Sequence, residues 1–372
     1  MDRPEDWITI PEIVQAAKER LPINAWDYSF GGAETETTLR RNRTAFDYVA
    51  LRPRVLRDVR SRTTSTTFLG NPLSLPVMLA PIGGPQNYDP DGALACARAA
   101  DQVGTMAFIG TLSSPSMEEV RAGSNGPLVF QIYIRGDRAW LAALVRRVET
   151  AGYSALCLTV DSAAYGRRER DLHKRYFRGD GGTQPNLAGL PGSEGGGSRD
   201  YQAGLTWDDV DWLRSATPLP IILKGILSPE DAELAVQHGV QVVYVSNHGG
   251  RQLDHAPATL DVLPEIVRAV DGRAEVLVDS GFMRGTDVVK ALALGARAVL
   301  IGKLMAWALG AGGTAGVARA LEILRTEMLL AMANIGVTSI AEIGPACVRA
   351  SYPPREAPWP VNIDPPRQPW LP

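Results

Sequence analysis

Pro220-Ile-Ile-Leu-Lys-Gly225, an amphipathic stretch over 229–239, then Val242-Val-Tyr-Val-Ser-Asn247: a short Val- and Ile-rich run bounded by turn residues reads as a strand buried on both faces, and the stretch between the two runs as a crossover helix. Working outward, the same unit recurs. Upstream lie Pro76-Val-Met-Leu-Ala-Pro81, Thr105-Met-Ala-Phe-Ile109, Leu128-Val-Phe-Gln-Ile-Tyr133 and Ala155-Leu-Cys-Leu-Thr-Val-Asp161. Downstream lie Glu275-Val-Leu-Val-Asp-Ser280 and Ala298-Val-Leu-Ile-Gly302. Helical periodicity fills 138–152, 260–270 and 286–295, and several of these stretches end at a Gly suited to a helix C-terminus. Eight strand-then-helix units in series predict an α/β fold, a (β/α)8 TIM barrel, rather than an open doubly wound sheet.

The 372 residues carry 38 Lys and Arg against 41 Asp and Glu, a net charge of −3, with 45% apolar residues. That composition describes a globular chain and offers no electrostatic basis for a nucleic-acid or anionic-membrane partner. The longest uncharged run, 69–88, contains Pro72, Pro76, Pro81 and Pro85, so it is no spanning helix. Three cysteines, Cys96, Cys157 and Cys347, stand far apart and outside any metal-ligand spacing. The expectation is a cytoplasmic protein without metal, because the N-terminal residues lack the pattern of an export signal. The length is compatible with several domains, but α/β barrels exceed 250 residues as one unit. We therefore read 1–372 as a single domain: a helical lead-in over 1–70, the barrel over 71–340 and an extended Pro-rich tail over 341–372 with Trp359 and Trp370. The Gly-, Pro- and Ser-rich stretch 179–200 reads as a mobile loop over the mouth or as a passive insertion.

In such a barrel the chemistry sits at the C-terminal strand ends. There the sequence places Gln131 and Tyr133, Thr159 and Asp161, Lys224, Ser246 to His248, and Asp279. The strongest local signal is Ser246-Asn-His-Gly-Gly-Arg-Gln-Leu-Asp254. It sets a histidine able to act as a base near neutral pH beside Arg251, a planar fork for a carboxylate. Gly166-Arg-Arg-Glu-Arg-Asp171 is either a solvated charged face or the source of a second carboxylate ligand. Asp279-Ser-Gly-Phe-Met-Arg-Gly-Thr286 and Ile301-Gly-Lys303 lie where barrels commonly bind phosphate.

Together these segments resemble the FMN-dependent α-hydroxy acid dehydrogenase and oxidase family, from about Pro11 to Ala341. The resemblance also rests on Asp27-Tyr28, Gly32-Ala33, Ala80-Pro81, Gln131-Ile-Tyr133, Leu158-Thr-Val-Asp161, Gly166-Arg-Arg168, Leu223-Lys-Gly225 and Gly285-Thr-Asp287. It implies FMN as cofactor and oxidation of a small-molecule (S)-2-hydroxy acid to the 2-oxo acid, with oxygen or another electron acceptor as reoxidant. It also implies a homotetramer. By the same resemblance His248 takes the hydroxyl proton while hydride passes to flavin N5, or removes the α-proton in a rival carbanion route. Asp161 supports His248, Tyr133 bonds the reacting oxygen, and Lys224 stands beside the flavin ring. Tyr28, Arg168 and Arg251 hold the substrate carboxylate. Gln131 and Thr159 contact the polar edge of the ring with Ser246 beside them, Asp279 holds the ribityl hydroxyls, Gly281, Gly302 and Lys303 the phosphate, and Pro81, Ile82, Gly83, Ser280 and Met283 complete the cofactor site.

Met283 and Lys303 stand where the family carries arginines on the phosphate. Gly83, Gly110 and Leu112 are smaller than the family's residues there, which implies a substrate bulkier than glycolate with Gly110 at the substrate face. Two rivals share the barrel: an FMN enzyme that oxidatively modifies a peptide or natural-product intermediate, and a flavin-dependent isomerase. The second has no need of two arginines for a carboxylate.

Overall fold

The computed structural model describes residues 3–176, 184–192 and 198–352. Residues 179–183 and 193–197 of the loop expected at 179–200, and the part of the tail that bears Trp359 and Trp370, therefore lie outside the described residues. Eight parallel strands close into a barrel. They are β1 (Val77–Leu79), β2 (Ala107–Gly110), β3 (Leu128–Ile132), β4 (Ala155–Thr159), β5 (Ile221–Ile226), β6 (Val242–Val245), β7 (Glu275–Val278) and β8 (Ala298–Ile301). Each pairs with its neighbour in sequence, and β8 closes on β1 through Val299↔Val77 and Ile301↔Leu79. Every predicted run is a barrel strand, with ends moved by no more than two residues.

The helices, in chain order, are α1 (Ile10–Arg20), α2 (Ile23–Phe30), α3 (Thr37–Thr44), α4 (Gly92–Val103), α5 (Met117–Ala122), α6 (Arg138–Thr150) and α7 (Glu169–His173). There follow α8 (Asp200–Ala203), α9 (Trp207–Ala216), α10 (Pro229–Gln237), α11 (Thr259–Val270), α12 (Gly285–Ala293) and α13 (Lys303–Ile335). Several start where the side chains dictate: Asp137 accepts the Trp140 N–H at 3.0 Å to open α6, and Ser228 accepts from Asp231 at 3.1 Å to open α10 ahead of Pro229.

Strand periodicity of two divides each strand into an outward face, packed on the helices, and an inward face. Met78, Met106, Phe108, Val129, Cys157, Ile222, Tyr244, Leu277 and Leu300 fill the barrel interior, and Phe68 and Leu73, from a short antiparallel pair of strands, join the same cluster. Continuing the inward parity toward the C-terminal ends reaches Gln131, Thr159, Lys224, Ser246 and Asp279. The interior thus turns from apolar to polar at one end only.

The segment before the barrel is helical but also contributes strands: Val49–Leu51 pairs antiparallel with Val348–Ala350. Its helix α1 packs on α13, and Trp26, Phe30 and Trp307 stack with centroids 5.5 to 6.0 Å apart. This clamp brings α2, and with it Tyr28, over the barrel mouth. Among the described residues no helix is long and apolar enough to cross a membrane.

Candidate active site

The site is built from two backbone irregularities. In β5, Gly225 bulges between Lys224, opposite Tyr244, and Ile226, opposite Val245. Its φ is +114°, and a Cβ there would stand 2.5 Å from the Asp161 Cβ, so only glycine lets the end of β4 approach. After β6, His248, Gly249 and Gly250 all take positive φ, +59°, +68° and +73°. The Ser246 hydroxyl accepts the His248 N–H at 3.1 Å, and a Cβ on Gly250 would meet the Leu39 N at 2.6 Å. This left-handed run turns the imidazole back over the barrel.

His248 Nδ1 lies 3.1 and 3.2 Å from the two Asp161 oxygens and 3.4 Å from Lys224 Nζ. Its Nε2 lies 3.3 Å from the Tyr133 hydroxyl. Burial works to raise the Asp161 carboxyl, but the His248 ring, the Lys224 ammonium and the Ser162 hydroxyl at 3.1 Å outweigh it and hold the group at about 2. An anionic Asp161 accepts a hydrogen bond from the Nδ1–H and so leaves the Nε2 lone pair toward the cleft. Burial, and then the Lys224 charge, push the His248 imidazole below its ordinary value, so it is neutral near pH 7. Burial, followed by the nearby Tyr165 and Asp161, keeps Tyr133 a phenol, well above the usual range. A neutral base, a hydroxyl donor and a cation therefore meet at one cleft.

At the mouth, Arg168 Nη1 lies 3.3 Å from the Tyr28 hydroxyl, and the Arg251 guanidinium carbon stands 4.5 Å from the Tyr28 ring centroid. Arg251 also donates to the Tyr28 and Gly31 carbonyls, which fixes the fork while leaving its other nitrogens for a ligand.

Pro81, Ile82, Gly83, Asp279, Ser280, Gly281, Met283, Gly302 and Lys303 line the same cleft as His248. Gln131, Thr159 and Ser246 are buried behind its wall, with Gln131 Nε2 donating to Thr159 Oγ1 at 2.8 Å. Asp279 accepts from Tyr244 at 2.8 Å and Ser280 at 2.7 Å. Gly110, at the end of β2, lies against Gln131: a Cβ there would meet Gln131 Oε1 at 3.1 Å. Lys303 lines the cleft, yet its Nζ donates to the Ser29, Phe30 and Gly31 carbonyls at 2.7 to 2.8 Å.

The sequence reading missed several contributors. Asn42 in α3 and Asn247 exchange side-chain amide hydrogen bonds at 2.8 and 2.7 Å, and Asp254 accepts from Thr35 Oγ1 at 2.6 Å and the Thr38 N–H at 2.8 Å. These bonds tie the lead-in to the loop that carries His248. Tyr165 stands between Arg168 and Arg199, at 5.4 and 4.3 Å from ring to guanidinium. Its place beside Gly166-Arg-Arg168 was the one available signal.

The donor set fits a flavin. Lys224 is almost fully buried and lines the cleft, so its ammonium can donate to an electron-rich ring edge. Pro81, Ile82, Leu300 and Ile301 supply apolar wall, and Asp279 an acceptor for a polyol. An α/β barrel with such a cleft at its C-terminal face, lined by a buried lysine and a histidine paired with a carboxylate, fits the class of flavin-dependent oxidoreductases.

The comparisons with known proteins narrow the class. The family model for FMN-dependent dehydrogenase matches residues 17–350. An L-lactate oxidase of Nostoc sp. is 46% identical over 351 residues, 90% of this chain and 96% of that protein. Glycolate oxidase of Spinacia oleracea is 42% identical, over 92% of this chain and 96% of that protein. A solved structure of mandelate oxidase with (S)-2-phenylpropionate superposes with a TM-score of 0.85 at 40% identity, covering 93% of this chain and 98% of that one. The chain belongs to the FMN-dependent dehydrogenase family and is an FMN-dependent oxidoreductase.

Proposed function

We propose that the chain oxidises an (S)-2-hydroxy acid bulkier than glycolate to the 2-oxo acid, with His248 as the base. The observation that carries this reading is the place of His248 Nε2, 3.3 Å from the Tyr133 hydroxyl, in the cleft that Arg168 and Arg251 also line. Arg168 and Arg251 bind the substrate carboxylate, each charged hydrogen bond contributing roughly 1.5 to 3 kcal/mol. In this reading the 2-hydroxyl lies near His248 and Tyr133. His248 Nε2 takes the hydroxyl proton, and Asp161 stabilises the imidazolium that forms. Tyr133 donates to the substrate oxygen as it becomes a carbonyl. FMN, when bound, supplies the hydride acceptor at N5, and oxygen or another acceptor then takes the two electrons. Lys224 favours the negative charge that reduction places at the ring edge.

Gly83 and Leu112 at the cleft wall leave room for a large side chain, and the match to mandelate oxidase supports an aryl or long-chain acid. The reading includes a homotetramer and a cytoplasmic setting; the latter is supported by three buried, unpaired cysteines. Anaerobic mixing of the holoenzyme with glycolate, lactate and mandelate tests the function through bleaching of the 450 nm flavin band. Reduction is expected to be fastest with the bulky acid; equal rates with glycolate would refute the size assignment, and no reduction by any 2-hydroxy acid would refute the substrate class. A second test is His248→Gln, which is expected to retain flavin and lose about 10²- to 10⁴-fold in reduction rate.

A further inference from the structure

The cleft has two ends of different charge. Among the described residues four cations line it: Arg168, Lys224, Arg251 and Lys303. The first three belong to the His248 end. Lys303 opens α13 after β8, where barrels commonly take phosphate, but its three ammonium protons already have the Ser29, Phe30 and Gly31 carbonyls as acceptors at 2.7 to 2.8 Å, and the Gly31 carbonyl also accepts from Arg251, so the ammonium is turned toward the Arg251 side of the cleft. These carbonyls end α2, so Lys303 serves there as a helix C-terminal cap.

The other basic groups of this region are also engaged. Arg43 donates to both Asp287 oxygens at 2.5 and 3.0 Å and to the Gly281 carbonyl at 2.8 Å. Arg284 pairs with Glu327 at 2.7 Å. Met283, which faces the cleft, is apolar and buried. The N-terminus of α12 is taken as well, because Asp287 accepts the N–H groups of Met283 and Arg284, both at 3.0 Å. A carboxylate in that position disfavours a second anion. By contrast, α13 opens on Gly302, which has no side chain to cap its first turn, and Gly302, Lys303 and Ala306 line the cleft. Its first N–H groups are the donors left for an anion.

We propose that this chain holds the flavin phosphate through backbone N–H groups at the start of α13 without a side-chain cation, and therefore accepts the unphosphorylated flavin, riboflavin, as a ligand nearly as well as FMN. The proposal rests on the assignment of FMN to this cleft. An anion at a helix N-terminus gains about two- to thirtyfold in affinity, whereas a direct charged side-chain hydrogen bond adds roughly ten- to 150-fold for each contact. The preference for FMN over riboflavin is thus expected to stay below about thirtyfold.

The test is titration of the deflavinated full chain with FMN and, separately, with riboflavin, read by quenching of flavin fluorescence. Comparable dissociation constants support the proposal. A preference for FMN above about thirtyfold overturns it. Lys303→Met separates the two possible roles of this lysine. As a cap it leaves the FMN to riboflavin ratio within threefold of the unaltered chain; a fall of tenfold or more in FMN affinity alone would show that Lys303 leaves the carbonyls for the phosphate. Met283→Arg, which adds a cation facing the cleft, is expected to raise the preference for FMN at least tenfold, and no rise would count against the missing cation as the cause. Binding of neither flavin refutes the cofactor assignment itself, and the proposal with it.

Discussion

Asp161→Asn tests how the base is supported. The substitution keeps the volume and one oxygen acceptor for Nδ1, but removes the charge that faces the imidazolium. At 3.1 Å, a full charge pair with an effective dielectric of 20 is worth about 5 kcal/mol. Lys224 at 3.4 Å opposes the imidazolium by a similar amount, about 5 kcal/mol, so Asp161 approximately cancels it. Without the carboxylate the opposition stands alone. With roughly half of the proton charge developed in the transition state, the loss is about 2 to 3 kcal/mol, or a 30- to 150-fold fall in the rate of flavin reduction. The pH profile supplies a second sign. Asp161 raises the His248 pKa against burial and Lys224, so its removal lowers that pKa further, and the acid limb of kcat/KM moves to lower pH while the plateau falls. Anaerobic stopped-flow reduction at 450 nm from pH 5 to 9 measures both. An acid limb that moves upward, or a plateau within threefold of the unaltered enzyme, would refute the assigned pairing.

Other outcomes follow from the same geometry. Arg251→Lys keeps a charge but loses the fork braced on the Tyr28 and Gly31 carbonyls; KM for the 2-hydroxy acid is expected to rise about 10- to 100-fold with flavin content unchanged, and an unchanged KM would remove Arg251 from carboxylate binding. Gly225→Ala forces a Cβ to within 2.5 Å of the Asp161 Cβ at a φ of +114°, so purified variant is expected to lose most flavin reduction as Asp161 leaves His248; wild-type kinetics would show that the bulge is dispensable. Asp254→Ala frees the Thr35 and Thr38 donors and is expected to cost about 2 to 3 kcal/mol. Thermal melting and proteolysis within the first 60 residues report it, and a melting temperature unchanged within 1 °C would contradict the account.

Much was legible in the sequence because it depends on local chemistry. The period of two, the β-branched runs and the Gly and Pro boundaries are written into each strand, and eight such units leave few ways to bury their apolar faces. The polar residues that end the runs, Gln131, Thr159, Lys224, Ser246 and Asp279, share the parity of interior residues such as Tyr244 and Leu277, so the position of the cleft followed from the alternation. The Ser246-to-Asp254 segment likewise set a histidine three residues from an arginine.

Tertiary structure decided what depends on pairs distant in the chain. Asn42 and Asn247 are 205 residues apart and Thr35 and Asp254 are 219; no local pattern states that one amide will find another. Gly110 stands against Gln131, whose Oε1 a Cβ would meet at 3.1 Å, because the β2–β3 register pairs the two residues. Lys303 shows the limit most clearly. Its position at the start of α13 was predictable, whereas the direction of its ammonium was set by the three carbonyls of α2, because a flexible lysine follows the nearest unsatisfied acceptors and those arrive only when the lead-in folds over the mouth.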